Sequence, residues 1–193
     1  MKKRFQLFIL CMAVTLHILN TRAAEPDTPP VPDPPLENET GTEISHTGVL
    51  VEFDLLDRAG RRVTQNAFSG KYVLLTFGYT HCEHICPMIV SSMARTLKAN
   101  DNNSVGVFIS VDTERDTPAL TDDYAAGFSK NITGLSGSYT DVSTAANNFM
   151  VSYSVTKTQK HYVVQHSTDI FLIGPDGRLL GIYTFNSLPQ RIE

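Results

Sequence analysis

The chain has 193 residues, 41% hydrophobic and 19% charged, which is enough for one domain with its own core and too few for two comfortable ones. The formal net charge of −4 is unevenly spread: Lys2, Lys3, Arg4 and Arg22 lie in an acid-free N-terminal extension, leaving 12 bases against 20 acids in residues 25–193. No basic stripe remains to bind nucleic acid, and three cysteines are too few for a disulfide-stapled mini-protein.

Residues 1–24 carry the marks of an export signal. Lys2-Lys3-Arg4 form the positive n-region, residues 5–19 the apolar h-region, and Thr21-Arg22-Ala23-Ala24 offers small residues for cleavage. The apolar run has 15 residues, where a spanning helix wants about 20, and this favours cleavage. An uncleaved anchor through residues 5–19 is the alternative, because tilt and bilayer thinning accommodate short spans. A lipoprotein signal does not fit, since Cys11 follows Phe8-Ile9-Leu10 rather than small residues. On either reading the remainder is exported, to the periplasm or held at the inner membrane. Residues 25–45 hold six of the ten prolines and six acids, and read as an extended linker ahead of a domain over 46–193.

Within the domain, residues 48–55 alternate loosely and read as a strand. Asp57-Arg58-Ala59-Gly60 turns the chain, and 61–64 pairs back to close an N-terminal β-hairpin. The continuous apolar run 72–77 predicts a central strand covered on both faces. Residues 78–86 read as a loop, with Pro87 opening a helix that buries Ile89, Val90, Met93 and Leu97. A second core strand follows at 105–111. Asp116 or Thr117 caps a helix with Pro118 at its start, running to about Lys130. Residues 133–136 are extended, and Thr140 caps a helix to about Met150. A hairpin closes the chain: 169–173, the turn Gly174-Pro175-Asp176-Gly177, and 179–185. This order predicts an α/β fold, a central mixed sheet with helices on both faces.

The chemistry concentrates in Gly78-Tyr79-Thr80-His81-Cys82-Glu83-His84-Ile85-Cys86-Pro87, between a core strand and a helix N-terminus. The free N–H groups and positive end of a helix lower a thiol's pKa and favour the thiolate. A thiolate is both a soft metal ligand and a nucleophile, so the motif permits two chemistries. The third candidate is His166, placed just before a strand. Two thiolates and an imidazole suit Cu(I), and Cu(II) with an added ligand. Structural zinc would demand a fourth protein ligand, which His81 or His84 can supply. A plain structural disulfide between Cys82 and Cys86 would be a poor staple, because so short a loop removes little unfolded-state entropy. Met88 and Met93 are possible copper thioethers, although the helical spacing of Met93 places it in the core. His46 and His161 read as surface residues, and the run 112–117 as a loop and helix cap near the site.

Residues 46–185 resemble the Sco (SenC) family of thioredoxin-fold copper proteins. The resemblance is carried by Gly70-Lys71-Tyr72-Val73-Leu74-Leu75-Thr76-Phe77-Gly78-Tyr79-Thr80-His81-Cys82 and then Cys86-Pro87. It continues through Ser110-Val111-Asp112-Thr113-Glu114-Arg115-Asp116-Thr117-Pro118, Gly134-Leu135-Ser136-Gly137-Ser138, His166-Ser167-Thr168 and Pro175-Asp176-Gly177. It implies a thioredoxin-like fold and copper, as Cu(I) or Cu(II), bound by Cys82, Cys86 and His166. It also implies a role in assembling the copper centre of a respiratory cytochrome c oxidase. The implied partners are the copper-accepting oxidase subunit, other copper chaperones and thiol reductants. Glu83 and Thr113 stand where the family often has proline. Residues 189–193 stand where it has a longer C-terminal helix, and read as that helix's first turn.

Three functions compete. A metallochaperone, rather than a turnover enzyme, would bind copper and pass it on. A thiol–disulfide oxidoreductase would use Cys82 and Cys86 as a redox pair. Against it, thioredoxins use Cys-x-x-Cys, usually after Trp, and this chain has no Trp. A peroxidase-like thiol enzyme gains least, since the Cys-Pro order and the downstream histidine fit copper better.

Overall fold

The computed structural model describes residues 48–100 and 103–192. The expected signal and linker lie outside the described residues. Five strands form the central sheet in the order β5-β4-β3-β8-β9. β3 (Tyr72–Gly78), β4 (Ser104–Ser110) and β5 (Ile132–Leu135) run parallel; β8 (Ile170–Ile173) and β9 (Leu179–Tyr183) are antiparallel to their neighbours. This is the mixed thioredoxin-like sheet that the resemblance implies.

Alternation along the strands divides the core. Val73, Leu75, Phe77, Val107 and Ile109 face one side, where Val142, Ala145 and Ala146 of α3 (Tyr139–Asn148) and Phe149 just after it cover them. Leu74 and Phe108 face the other, beneath Ile89, Val90, Met93 and Leu97 of α1 (Ile85–Ala99) and Ala125 of α2 (Pro118–Ala126). A central strand covered on both faces is apolar nearly throughout, which is why residues 72–77 read as one run, and its buried hydroxyl, on Thr76, is hydrogen-bonded.

Several boundaries differ from the sequence reading. The run 48–55 divides. Gly48 and Val49 hydrogen-bond to Leu179 at the sheet edge, whereas only β1 (Asp54–Leu56) pairs with β2 (Arg62–Thr64) in the expected hairpin. Helix α1 begins at Ile85, two residues before Pro87, because proline's missing N–H is harmless anywhere in the first turn. Helix α2 stops at Ala126, capped by Gly127, and not near Lys130. Ser138, not Thr140, caps α3 in a reciprocal box with Asp141; the helix ends where Met150 takes a left-handed φ of 56°. Residues 189–192 form no helix. They lie along α1, with Thr96 Oγ1 donating to the Pro189 carbonyl at 3.0 Å.

The sequence reading does not predict the antiparallel ribbon of β6 (Tyr153–Lys157) and β7 (Tyr162–His166). Among the described residues its two strands pair only with each other. His166 is therefore the last residue of a strand, opposite Tyr153, rather than a loop residue.

Candidate metal centre

Sheet register brings the chemistry to one end. Gly78, the last residue of β3, pairs with Ser110, the last of β4, so the loops leaving both parallel strands start side by side. One carries Tyr79 to His84 and the other Val111 to Thr117. Strand β8 runs the opposite way and enters at the same end, where Thr76 Oγ1 donates to the Asp169 carbonyl at 2.8 Å. This delivers His166, four residues before β8, to the cysteine loop.

Cys82 lies in the loop and Cys86 in the first turn of α1; they are 8% and 1% exposed. The Cys86 N–H points at Cys82 Sγ at 3.5 Å. The Cys82 sulfur sits there because a helix N-terminus has N–H groups without intrahelical partners. Both are free thiols. Cys86 Sγ lies 3.5 Å from Nε2 of His166. The His166 Nδ1 is 2.7 Å from the Ser167 carbonyl, which can only accept, so Nδ1 carries the hydrogen and the Nε2 lone pair faces the thiol. Burial lowers the His166 pKa against that carbonyl's opposing pull, keeping the ring neutral. The Tyr79 ring stands edge-on to it at 5.8 Å and 89°.

The two thiols are driven apart electrostatically. Burial raises Cys82, but hydrogen bonds from the Cys86 thiol and the N–H groups of Cys86, His84 and Ile85 outweigh it, so its pKa falls below the ordinary value. Burial, and then the hydrogen bond to Cys82, push Cys86 up to about 12. Gly78 makes the approach possible. A Cβ there would lie 2.7 Å from the Phe108 ring and 3.2 Å from Cys86 Sγ.

The two histidines of the cysteine loop, His81 and His84, are both exposed. His84 is the exposed N-cap of α1 and its side chain makes no capping bond. His81 turns to Asp116, with Nδ1 3.2 Å from Oδ1. His81, Asp112 and Asp116 bring ligand-type atoms within 4.8 Å of one another. The buried Asp116 carboxylate is nevertheless already occupied by Thr80 N–H and O–H, each at 2.7 Å, by Ser110 O–H at 2.6 Å, and by His81. It works as a brace for the cysteine loop. Met93 is fully buried and Met88 half exposed. A cavity of about 230 Å³ lined by Phe53, Gln65, Phe68 and Pro175 includes none of these residues. Sequence reasoning left the roles of Asp112, Arg115 and Tyr162 unrecognised. The signal available was the position of Asp112 and Arg115 directly after a core strand.

Two soft sulfurs and an imidazole nitrogen with a free lone pair fit a thiophilic ion such as Cu(I). Comparison with known proteins points the same way. Residues 41–193 match the SCO1/SenC family model. The protein sco1 of Schizosaccharomyces pombe is 35% identical over 147 residues, 72% of this chain and 56% of the relative. The chain spans about half the length of the curated relatives it matches. Among solved structures, copper-bound ScoI of Arabidopsis thaliana is similar with TM-score 0.66 and 34% identity, covering 71% of this chain and 88% of that one. BsSco, described as a Sco-family cytochrome c oxidase assembly protein with a disulfide switch, gives TM-score 0.58 and 27% identity, covering 74% and 86%.

Proposed function

Because the chain belongs to the SCO1/SenC family, we propose that it is an exported copper-binding protein that delivers copper to the copper centre of a cytochrome c oxidase during assembly, or keeps that centre reduced. The observation that carries this reading is the 3.5 Å approach of Cys86 Sγ to His166 Nε2, with the Cys82 sulfur on the Cys86 N–H. Copper is the cargo. Cys82 meets it first, as the thiol that ionises more readily, and binding drives the proton off Cys86. His166 offers Nε2, with its ring oriented by the Ser167 carbonyl. His84 and Met88, the exposed chain neighbours of the two buried cysteines, would meet an acceptor whose soft ligands exchange for the cysteines. Export through residues 1–24, cleaved or retained as an anchor through 5–19, belongs to the same proposal. So does the division into linker 25–45 and domain 46–193.

The test is Cu(I) competition and metal analysis on reduced protein. Cys82→Ala and Cys86→Ala should each abolish tight binding, and His166→Ala should weaken it and change the Cu(II) spectrum. Full affinity in the double cysteine variant would overturn the proposal.

A second reading, a thiol–disulfide reductase, is favoured by the split between the two thiols. The Cys82 thiolate would attack a partner disulfide, forming a mixed disulfide and releasing one partner thiolate. Cys86, losing its proton, would then attack the Cys82 sulfur and release the second. Two electrons pass to the partner and a Cys82–Cys86 disulfide remains.

A further inference from the structure

We propose that Arg115 and Tyr162 form a clamp that positions His166 for the metal, an inference that rests on the copper-binding reading above. His166 ends a ribbon whose strands, among the described residues, pair with each other and not with the five-stranded sheet, so the ladder of that sheet does not set its place. The ribbon is fastened instead to the loop that follows β4. At the start of β7, the Tyr162 O–H donates to Asp112 Oδ1 at 2.7 Å. Arg115 forks onto the other oxygen, with Nε and a terminal nitrogen each 2.5 Å from Asp112 Oδ2. Its guanidinium lies 3.9 Å from the centre of the Tyr162 ring and 5.9 Å from that of Tyr79.

Arg115 thus packs on the Tyr162 ring and lies within cation–π range of the Tyr79 ring, the two groups that locate the histidine. Tyr162 holds the strand that ends at His166, and Tyr79 stands against its ring. Asp112 is fully buried and its own N–H donates to Ser110 Oγ, so the anchor is tied to the end of β4. The neighbouring Asp116 braces Thr80 in the cysteine loop. One short loop therefore registers the histidine ribbon against the cysteines. A planar guanidinium can lie over a ring while forking a carboxylate; an ammonium cannot. Arg115 and Tyr162 are positioning residues.

The test compares Tyr162→Phe, which keeps the ring and removes the O–H, with Arg115→Lys, which keeps the charge and removes the fork. The first readout needs no metal: 15N chemical shifts of the His166 imidazole in reduced apo protein. The native protein should show a single Nδ1–H tautomer, and the variants a mixed or exchange-broadened signal. The second is Cu(I) affinity with the imidazole nitrogen coupling of the Cu(II) form. Each variant should lose roughly 10- to 100-fold, as is usual for groups that orient a ligand. In combination with His166→Ala neither should weaken binding beyond His166→Ala alone. Native tautomer signals and nitrogen coupling in both variants, or losses fully additive with His166→Ala, would overturn the clamp. Failure of the native protein to bind copper would overturn the parent reading, while the imidazole shifts would still decide the clamp.

Discussion

Cys86 Sγ and His166 Nε2 lie 3.5 Å apart although 80 positions separate them in the chain. The contact joins a helix N-terminus to the end of a ribbon outside the main sheet. Its chemistry is asymmetric: Cys86 is buried and hard to ionise, whereas Cys82 is held as the easier thiolate by the N–H groups around it.

That asymmetry predicts an order of alkylation. As pH rises, Cys82 passes its lowered pKa first and becomes reactive, while Cys86 stays protonated until near its value of about 12. Iodoacetamide labelling of reduced metal-free protein, followed by mass spectrometry from about pH 6 to pH 11, should therefore modify Cys82 alone over most of the range. Equal labelling with one shared midpoint would contradict it.

Closing the Cys82–Cys86 disulfide should block copper uptake, because a cystine cannot act as two thiolates. Free-thiol counts after mild oxidation, set against bound copper, check this. Undiminished uptake with no free thiol left would refute it.

Gly78→Ala should destabilise the fold by about 1–3 kcal/mol, since the new methyl must displace a buried ring. The ring is Phe108, fully enclosed and 2.7 Å from the added carbon. A urea melt reads the loss, and an unchanged midpoint would show that the core yields freely.

Asp116→Ala should cost about 2–4 kcal/mol, because it strands buried donors that the carboxylate now satisfies. Those donors include the Thr80 N–H and the Ser110 O–H. Hydrogen exchange over residues 79–83 should speed up relative to the native protein. Native protection there would mean that the brace is dispensable.

His84→Ala should leave copper affinity and spectrum nearly unchanged, and zinc should bind the reduced protein more weakly than Cu(I). The residue is an exposed helix cap without a side-chain bond. A large spectral change, or zinc outcompeting Cu(I), would add a loop histidine to the ligand set.

The central strands, the cysteine loop and the helix behind it were legible in the sequence because each is governed by neighbours along the chain. Residues 72–77 are apolar at every position but Thr76 because both faces are covered, and Pro87 marks a helix start by what it lacks. The ribbon was not legible. Tyr153–Lys157 exposes four of its five residues and, among the described residues, pairs only with β7, so no strong alternation announces it. His166 by itself looked like any histidine before a strand; a family resemblance singled it out, and tertiary structure set its nitrogen against a thiol. Asp112, Arg115 and Tyr162 belong together only after folding, when the register of Gly78 with Ser110 places one loop between the cysteines and the ribbon. Local pattern determined which residue types could bind metal. Pairing between distant strands decided which of them meet, because a 3.5 Å contact across 80 residues depends on sheet register and side-chain packing that no stretch of sequence carries alone.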